Sequence, residues 1–300
     1  MSGKVKFRHR LEYAAVRTLE ALFRALPFRC GVVVAIVLAK IAFNVVGFRK
    51  KEAIRRILQV FPGKSRREAR RIAYVSLRNI FLNATEIMGI SGVSDKWLDK
   101  HYVSWRPTMD LIRRHIADGH GVIMALPHMG NWDLAGITVA HCGMPIFSVS
   151  GVQHNPLTND WLNRKRATGI NMYERGSSAL RHIVTNLKRN QVFAILPDVR
   201  MKTPDLEIDF LGSKANLGRG MAAFARKTNS PIVVTKIKRV GVLRHSLGLH
   251  EPIFPDPSLS DDEDVKRMTQ LAMDYIEKDI REAPEQWFWY NKRWVLEPLD

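Results

Sequence analysis

One segment of the chain places a histidine five positions before an aspartate, in His128-Met129-Gly130-Asn131-Trp132-Asp133. A carboxylate that bonds one imidazole nitrogen fixes the tautomer and raises the basicity of the other nitrogen. An imidazole held in this way can act as a general base that takes the proton from a hydroxyl group. We therefore predict that His128 is a general base and that Asp133 is the carboxylate that orients it.

The elements around this segment would hold both side chains in place. An apolar run of strand type ends at Pro127, and a helix is predicted to begin directly after Asn131, whose side chain can cap it. His128 would then lie on the loop and Asp133 in the first helical turn. Functional groups of open α/β sheets gather at the carboxyl ends of the strands, which is where this loop lies.

Other interpretations of the pair remain open at this point. The helix dipole alone favours a carboxylate in a first helical turn, and a loop histidine needs no function. A pattern as short as histidine, four residues and aspartate also occurs by chance. The rest of the chain has to decide between these interpretations.

Short apolar runs alternate with amphipathic stretches of helical length from about residue 102 onward. This alternation predicts an α/β fold with a mixed, largely parallel sheet flanked by helices. An antiparallel pair is predicted around Lys236 to His250, and a last helix from the acidic cluster at Asp261 to about Arg281. The predicted strands are Gly121 to Leu126, Pro145 to Val149, Val192 to Leu196 and Pro231 to Ile237, and the predicted helices are Thr108 to Ala117, Asn131 to His141, Ser177 to Lys188 and Leu217 to Lys227.

The N-terminal part of the chain is basic and apolar at once. Of the net charge of +18, residues 1–75 carry +14, with eighteen Lys and Arg against four Asp and Glu. Such an excess suits nucleic acid, an anionic bilayer or an acidic protein. The apolar run from Cys30 to Val46, interrupted by Lys40 and Asn44, favours the bilayer over nucleic acid.

We therefore predict an N-terminal helical membrane anchor over residues 1–50 and an α/β catalytic domain over residues 51–300. The anchor is expected to lie in or dip into the cytoplasmic leaflet, and a spanning helix and a buried core helix are the alternatives. Cys30 and Cys142, the two cysteines of the chain, form no disulfide framework or metal-binding motif, which fits a reducing compartment.

Four segments in order resemble one family, the lipid A late acyltransferases within the HX4D/E glycerolipid acyltransferases. His128 to Asp133 resembles the HX4D/E signature, and Phe61-Pro62 followed by the basic helix with Asn79 and Glu86 resembles the N-terminal part of the family. The central segment from Asp209 to Val234 and the aromatic segment from Pro284 to Trp294 resemble its later parts. We expect the aromatic segment to pack against the sheet.

The resemblance implies roles for further residues. Arg175, after Gly169, resembles the arginine that contacts a donor or acceptor phosphate, and Asp198 with Arg200 resembles the third motif, which helps to hold the acceptor. Asn131, Arg175, Asp198 and Arg200 are accordingly predicted to bind substrate. The family usually has Glu at the position of Asp133 and a DQ dipeptide at that of Asp198-Val199, which leaves the identity of the acceptor open.

The expected function is O-acyl transfer at the cytoplasmic face of the inner membrane, without a metal or another cofactor. The donor would be a thioester of acyl carrier protein or coenzyme A, and the acceptor a hydroxyl of a lipid A precursor or related glycolipid. A lysophospholipid or glycerophosphate acyltransferase, a lipid hydrolase or thioesterase, and a non-catalytic basic membrane-binding protein are the alternatives. Nucleic acid is not an expected partner.

Overall fold

The structure, a computed structural model, describes residues 5–89, 93–151, 155–166 and 169–298 of the chain. Within these residues it has a six-stranded sheet of order β3-β2-β4-β1-β7-β8 and a separate hairpin of β5 and β6. The strands are β1 (Val122–Ala125), β2 (Ile146–Ser150), β3 (Ile170–Glu174), β4 (Val192–Ile195), β5 (Leu206–Phe210), β6 (Ser213–Leu217), β7 (Ile232–Gly241) and β8 (Arg244–Leu249).

Helices cover both faces of this sheet. They are α1 (Phe7–Ala25), α2 (Phe28–Ile41), α3 (Lys50–Val60), α4 (Arg66–Gly89), α5 (Asp95–His101), α6 (Arg106–Ala117), α7 (Trp132–His141), α8 (Pro156–Arg166), α9 (Ser177–Leu187), α10 (Gly220–Thr228) and α11 (Asp261–Glu282). A π-helical turn, Ala42–Val46, continues α2, and a 3₁₀ turn, Pro284–Gln286, follows α11.

The predicted fold class is confirmed. Strands β1, β2, β3, β4 and β7 run parallel, and β8 pairs with β7 in the antiparallel direction. Successive residues of β1 face opposite layers, as a pleated strand requires: Ile123 packs with α3, α4 and α11, whereas Met124 packs with α5, α6 and α7. A strand buried on both faces has no polar face, which explains why β1 reads as one apolar run.

The sequence prediction missed three strands and misplaced one helix start. Strand β3 lies at the sheet edge and is partly exposed, so its sequence INMYE carries little apolar signal. The hairpin of β5 and β6 did carry a sequence signal, since β5 has the alternating apolar and acidic sequence LEIDF. Its apolar residues are buried, and the strand packs against α11. Leu217, predicted to start a helix, ends β6, and α10 begins only at Gly220.

The N-terminal helices lie against the rest of the structure. Helix α2 packs on α4 through Val32 and Ala35, which contact Leu82. Within the described residues, Phe28–Val46 is the one stretch long and apolar enough to cross a membrane, with a mean hydropathy of 2.0 and with 28% of its most apolar part buried. The length and composition of this stretch fit a membrane helix. The predicted division into an anchor before residue 50 and a catalytic domain after it stays a prediction.

Two helix starts have the reciprocal side-chain caps that their sequences indicate. The Ser65 backbone N–H donates to Glu68 Oε2 at 2.8 Å, and the Glu68 N–H donates to Ser65 Oγ at 3.3 Å. Ser260 and Glu263 form the same arrangement at the start of α11, where four acidic residues occupy the first turn. These caps satisfy backbone donors that a helix start leaves without partners.

Candidate active site

The ends of two neighbouring strands bring a histidine and a carboxylate together. Strands β1 and β4 pair in parallel with Ala125 opposite Ile195. Each is followed by Leu-Pro, so that His128 and Asp198 both stand three residues past the last paired position. Equal offsets from a parallel pair place both side chains at the same edge of the sheet.

His128 and Asp198 form a hydrogen-bonded pair. The His128 ring nitrogen Nδ1 lies 2.7 Å from Asp198 Oδ1, and the His128 backbone N–H donates to Asp198 Oδ2 at 2.8 Å. The Trp287 indole N–H also donates to Asp198 Oδ2, at 2.8 Å. With Nδ1 donating to a carboxylate, Nε2 of a neutral ring keeps its lone pair and can accept a proton. This arrangement is chemically competent as a general base.

The surroundings of Asp198 keep it ionised. Burial of this side chain would by itself raise its pKa, but the charge of His128 and the hydrogen bonds from His128 and Trp287 outweigh that effect. The pKa of Asp198 is consequently held below its usual range. A buried anion at this position stabilises the positive charge that His128 gains when it takes a proton.

The structure assigns the Nδ1 contact to Asp198, a residue that the sequence analysis had placed on the acceptor. Asp133 lies in the first turn of α7 and is half-buried. It lines the same groove as His128. The orienting role predicted for Asp133 stays a prediction.

Asn131 caps α7, as predicted. Its side-chain oxygen accepts a hydrogen bond from the Leu134 N–H at 3.1 Å. Its amide nitrogen donates to Glu86 Oε2 at 2.7 Å, and the residue is 1% exposed. The substrate-binding role predicted for Asn131 stays a prediction, and both polar atoms of the side chain already have partners in the protein.

A buried ionic cluster, formed by Glu86 of α4, Arg239 of β7 and His245 of β8, holds the loop between His128 and α7. The Glu86 carboxylate accepts from Arg239 Nη2 at 2.6 Å, from Arg239 Nη1 at 2.8 Å and from His245 Nε2, if protonated, at 2.9 Å. Asn83 of the same helix donates to the Gly130 carbonyl at 2.5 Å. Since Glu86 also bonds Asn131, two successive loop residues are tied to α4.

Charges compensate one another within this cluster. Burial would raise the pKa of Glu86, but hydrogen bonds from His245 and Arg239 and the charge of Arg239 lower it to about 2. Burial lowers the pKa of His245, although the bond to Glu86 acts in the opposite direction. Glu86 and Arg239 therefore remain a charged pair at neutral pH.

Gly130 is required by the shape of the loop. Its φ is +53°, and a Cβ atom at this position would lie 2.7 Å from Ile237 Cγ2 and 2.9 Å from the Ile237 carbonyl oxygen. A backbone oxygen cannot move aside as a flexible side chain can. The loop therefore passes close over β7 because residue 130 has no side chain.

The aromatic C-terminal segment covers the pair from the other side. The Phe288 N–H donates to the His128 carbonyl at 2.9 Å, and the Ser76 hydroxyl donates to the Trp287 carbonyl at 2.5 Å. Trp287 and Trp289 are buried, so this segment packs on the core, as its composition led us to expect. Its bond to Asp198 was not foreseen, since the sequence carries no signal for which tryptophan approaches which carboxylate.

A groove of about 350 Å³ opens beside His128, and most of its lining residues are apolar, with Asp133 and Ser148 as polar exceptions. Residues of β2, β3 and β4, the residues that directly follow β1 and β4, and the first turns of α7 form most of its walls. Its apolar lining includes Trp132 and Gly136 of α7, Ile170, Met172 and Ala194 of the sheet, and Phe288 of the aromatic segment. A groove of this lining can take an alkyl chain next to His128.

Within the described residues, neither of the two predicted arginines forms a hydrogen bond with His128 or Asp198. Arg175 is exposed directly after β3, which is separated from β1 by β2 and β4 in the sheet. Arg200 is half-buried, and its Nη1 donates to the Pro298 carbonyl at 2.8 Å. Arg293, from the aromatic segment, lines a small recess that also includes His128 and Asp198.

Comparisons with known proteins agree with the motifs. A family model described as bacterial lipid A biosynthesis acyltransferase matches residues 1–295, which confirms the resemblance found in the sequence. A phosphatidylinositol mannoside acyltransferase of Mycobacterium tuberculosis (strain CDC 1551 / Oshkosh) is 22% identical over 193 residues, which are 63% of this chain and 59% of that protein.

Two further relatives carry lipid A names. A lipid A biosynthesis acyltransferase of Haemophilus influenzae is 27% identical over 60% of this chain and 56% of its own length. A lipid A biosynthesis palmitoleoyltransferase of Escherichia coli (strain K12) is 21% identical over 84% of this chain and 80% of its own length. The matched region thus covers less than two thirds of the Mycobacterium tuberculosis protein and of the Haemophilus influenzae protein.

Proposed function

The chain belongs to the bacterial lipid A biosynthesis acyltransferase family, and we propose that it is an O-acyltransferase. It moves a fatty acyl chain from an acyl carrier protein or coenzyme A thioester to a hydroxyl of a lipid A precursor or related glycolipid. The names of the relatives, on lipid A and on phosphatidylinositol mannoside, support a glycolipid acceptor over a glycerophosphate. The observation that carries the proposal is the His128–Asp198 pair beside an apolar groove.

In the proposed reaction, His128 Nε2 takes the proton of the acceptor hydroxyl while that oxygen attacks the thioester carbonyl carbon. The carbonyl oxygen becomes an oxyanion, which then re-forms the carbonyl as the carbon–sulfur bond breaks. His128 returns the proton to the departing thiolate, so the products are an ester and a thiol. Asp198 holds Nδ1 throughout and stabilises the transient imidazolium.

Backbone N–H groups at the start of α7 are proposed to bind the oxyanion. The Gly130 N–H already donates to the Gln286 carbonyl at 3.2 Å, which leaves the amides of Asn131 and Trp132 as the candidates. The acyl chain would occupy the apolar groove. Arg175, exposed at the same edge of the sheet, remains the proposed contact for a phosphate of the donor or acceptor.

Location at the cytoplasmic face of the inner membrane is part of the proposal. It is supported by the apolar stretch Phe28–Val46 and by the basic N-terminal quarter of the chain. It is also supported by the family, because a lipid-anchored acceptor has to be met at a membrane surface.

The test is a transfer assay with two donors, the thioesters of acyl carrier protein and of coenzyme A, both radiolabelled in the acyl chain. The acceptors are a panel of lipid A precursors, other glycolipids and lysophospholipids. We expect label to enter a glycolipid. Label released only as free fatty acid would identify a hydrolase, and protein that binds vesicles but turns over no donor would be a binding protein; either result rejects the proposal.

Replacing His128 tests the mechanism in the same assay. His128→Ala should lower the rate by about 10²- to 10⁴-fold because the general base is lost, while binding to membranes is unchanged. His141→Ala is the matched control, since that histidine pairs with the exposed Asp95 on the surface. Near-normal turnover by His128→Ala would exclude the proposed mechanism.

A further inference from the structure

A basic cleft lies between the starts of α3 and α4, outside the candidate active site. It has a volume of about 990 Å³ and contains one carboxylate, that of Glu52, which Arg49 Nε binds at 2.6 Å. Its basic side chains are Arg49, Lys50, Lys51, Arg66, Arg67 and Arg70. Within the described part of the chain, Lys51, Arg66 and Arg67 form no ion pair. A concave surface with this excess of cations is suited to an anion.

An exposed apolar stripe leads into the basic cleft. Val33, Val37, Ile41 and Val45 recur at every fourth position and are 44–79% exposed, whereas the opposite side of α2 packs on α4. Val46, 71% exposed, continues the stripe and lines the cleft itself. A water-soluble ligand such as nucleic acid would leave this stripe in contact with water, and a bilayer would cover it.

We infer that the basic cleft binds the phosphate headgroups of anionic phospholipids, in the bilayer whose hydrocarbon receives the apolar stripe. Arginine and lysine side chains suit phosphate oxygens, and basic residues at a membrane surface are attracted by its negative potential. This inference rests on the membrane attachment in the proposed function and adds a defined site to it.

The basic cleft is connected to the candidate active site by a short series of contacts. Arg49 Nη1 donates to the Tyr290 carbonyl at 2.9 Å, and the Tyr290 and Phe288 rings lie 6.1 Å apart. Phe288 in turn bonds the backbone of His128. A phospholipid in the cleft would therefore hold the bilayer surface beside the segment that covers His128, within reach of an acceptor anchored in the same leaflet.

The test compares two triple variants of the full chain that remove the same charge. Lys51→Gln, Arg67→Gln and Arg70→Gln change the basic cleft, and Lys188→Gln, Lys266→Gln and Lys278→Gln change exposed lysines elsewhere. Binding is measured by flotation with vesicles of phosphatidylcholine that contain or lack phosphatidylglycerol. Each basic residue near an anionic surface contributes about fivefold to the partition coefficient, so the cleft variant should lose about a hundredfold on the anionic vesicles.

We expect the control triple to bind anionic vesicles as the wild type does and both triples to bind phosphatidylcholine alike through the apolar stripe. Equal losses of binding to anionic vesicles in the two triples would show that only net charge matters. Unchanged binding by the cleft variant would show that the cleft is not a binding site. Either outcome overturns the inference. Preference of the wild type for single-stranded DNA over anionic vesicles would overturn it as well.

Acyl transfer with acceptor dispersed in detergent separates this inference from the proposed function. The cleft triple should keep the wild-type turnover there, because none of its residues contacts His128 or the groove. Wild-type protein that binds anionic vesicles through the cleft but transfers no acyl group would reject the proposed function alone. Protein that transfers acyl groups while the cleft triple binds vesicles normally would reject this inference alone.

Discussion

At the scale of the residue, His128 Nδ1 is bonded by the carboxylate of Asp198, which lies 70 positions further along the chain. Replacing Asp198 with Asn should lower kcat by about 10³- to 10⁴-fold, because an amide neither fixes the same tautomer nor stabilises the imidazolium. Turnover of labelled donor at saturating acceptor measures this effect. Activity within a few-fold of wild type would show that Asp198 does not orient the base.

Asp133 is the carboxylate that the signature itself supplies, and Asp133→Asn should also lower the transfer rate strongly. Its position in the groove beside His128 supports a role close to the reacting atoms. The two aspartates are best compared in one assay with thermal unfolding as the control for folding. Full activity of Asp133→Asn, together with a large loss in Asp198→Asn, would reduce Asp133 to a residue that stabilises the start of α7.

At the scale of the element, α4 holds the loop between His128 and α7 through the Glu86–Arg239 pair. Glu86→Gln should destabilise the fold by about 3 kcal/mol, because it leaves Arg239 as an uncompensated buried charge. Chemical unfolding in detergent measures the change, and Asp110→Asn, which breaks an exposed pair with Arg113, is the control with little effect. Adding Arg239→Met should restore part of the stability. No recovery in the double variant would contradict charge pairing as the cause.

The same pair predicts a direction for the dependence of stability on pH. The pKa of Glu86 in the folded protein, about 2, lies below its ordinary value of 4.5. The unfolded chain therefore binds the proton first, so the contribution of Glu86 is present above about pH 4.5 and is lost as the pH falls toward 2. Unfolding free energies measured across this range should decline less steeply in Glu86→Gln than in the wild type, and equal slopes would contradict the assignment.

The groove between α7 and the strand ends should set the length of the acyl chain. Ala194→Leu, which adds carbon atoms to the wall of the groove, should shift the preference toward shorter chains, and Met172→Ala should shift it toward longer ones. Competition between acyl donors of different length measures the ratio of kcat/KM values. Thermal unfolding controls for overpacking, which typically costs about 1–3 kcal/mol. If both variants shift the ratio of kcat/KM values in the same direction, or if neither changes it, the acyl chain does not bind in this groove.

At the scale of the whole molecule, the excess of positive charge predicts how the donor arrives. Acyl carrier proteins are acidic, so a basic surface accelerates their encounter, and salt screens that attraction beyond about 8 Å at physiological ionic strength. Raising salt should therefore increase the KM for the carrier-bound donor more than it lowers turnover at saturation. The measurement needs detergent and a constant acceptor concentration, since salt also weakens membrane binding.

Charge reversal should mimic salt if the basic residues of α8 face the carrier protein. Arg164 is exposed there, and the neighbouring basic residues Lys165 and Arg166 lie outside the described side chains. Arg164→Glu should raise the KM for the carrier-bound donor, with Lys278→Glu as the control. A donor dependence that is flat with salt, or a preference for acyl coenzyme A throughout, would count against the carrier protein as donor and leave the His128 chemistry standing.

The sequence by itself determined the features that depend on neighbouring residues. The apolar runs of β1, β2, β4 and β7, the acidic start of α11 and the Ser65–Glu68 cap all follow from local patterns. The cap of α7 by Asn131 was predictable for the same reason. The ordered motifs were sufficient to predict the family, because each motif is a continuous stretch of residues.

Only the tertiary structure decided which side chains meet. Leu-Pro precedes both His128 and Asp198 and hints at their equivalence, but their contact requires β4 to lie beside β1, and no local pattern specifies strand order. The bond between Ser76 and Trp287 and the pair of Glu86 and Arg239 likewise join segments that lie more than a hundred residues apart in the sequence. The physical reason is that short-range preferences select helices and strands, whereas the partners of buried polar groups are chosen when these elements pack and every such group needs a bond.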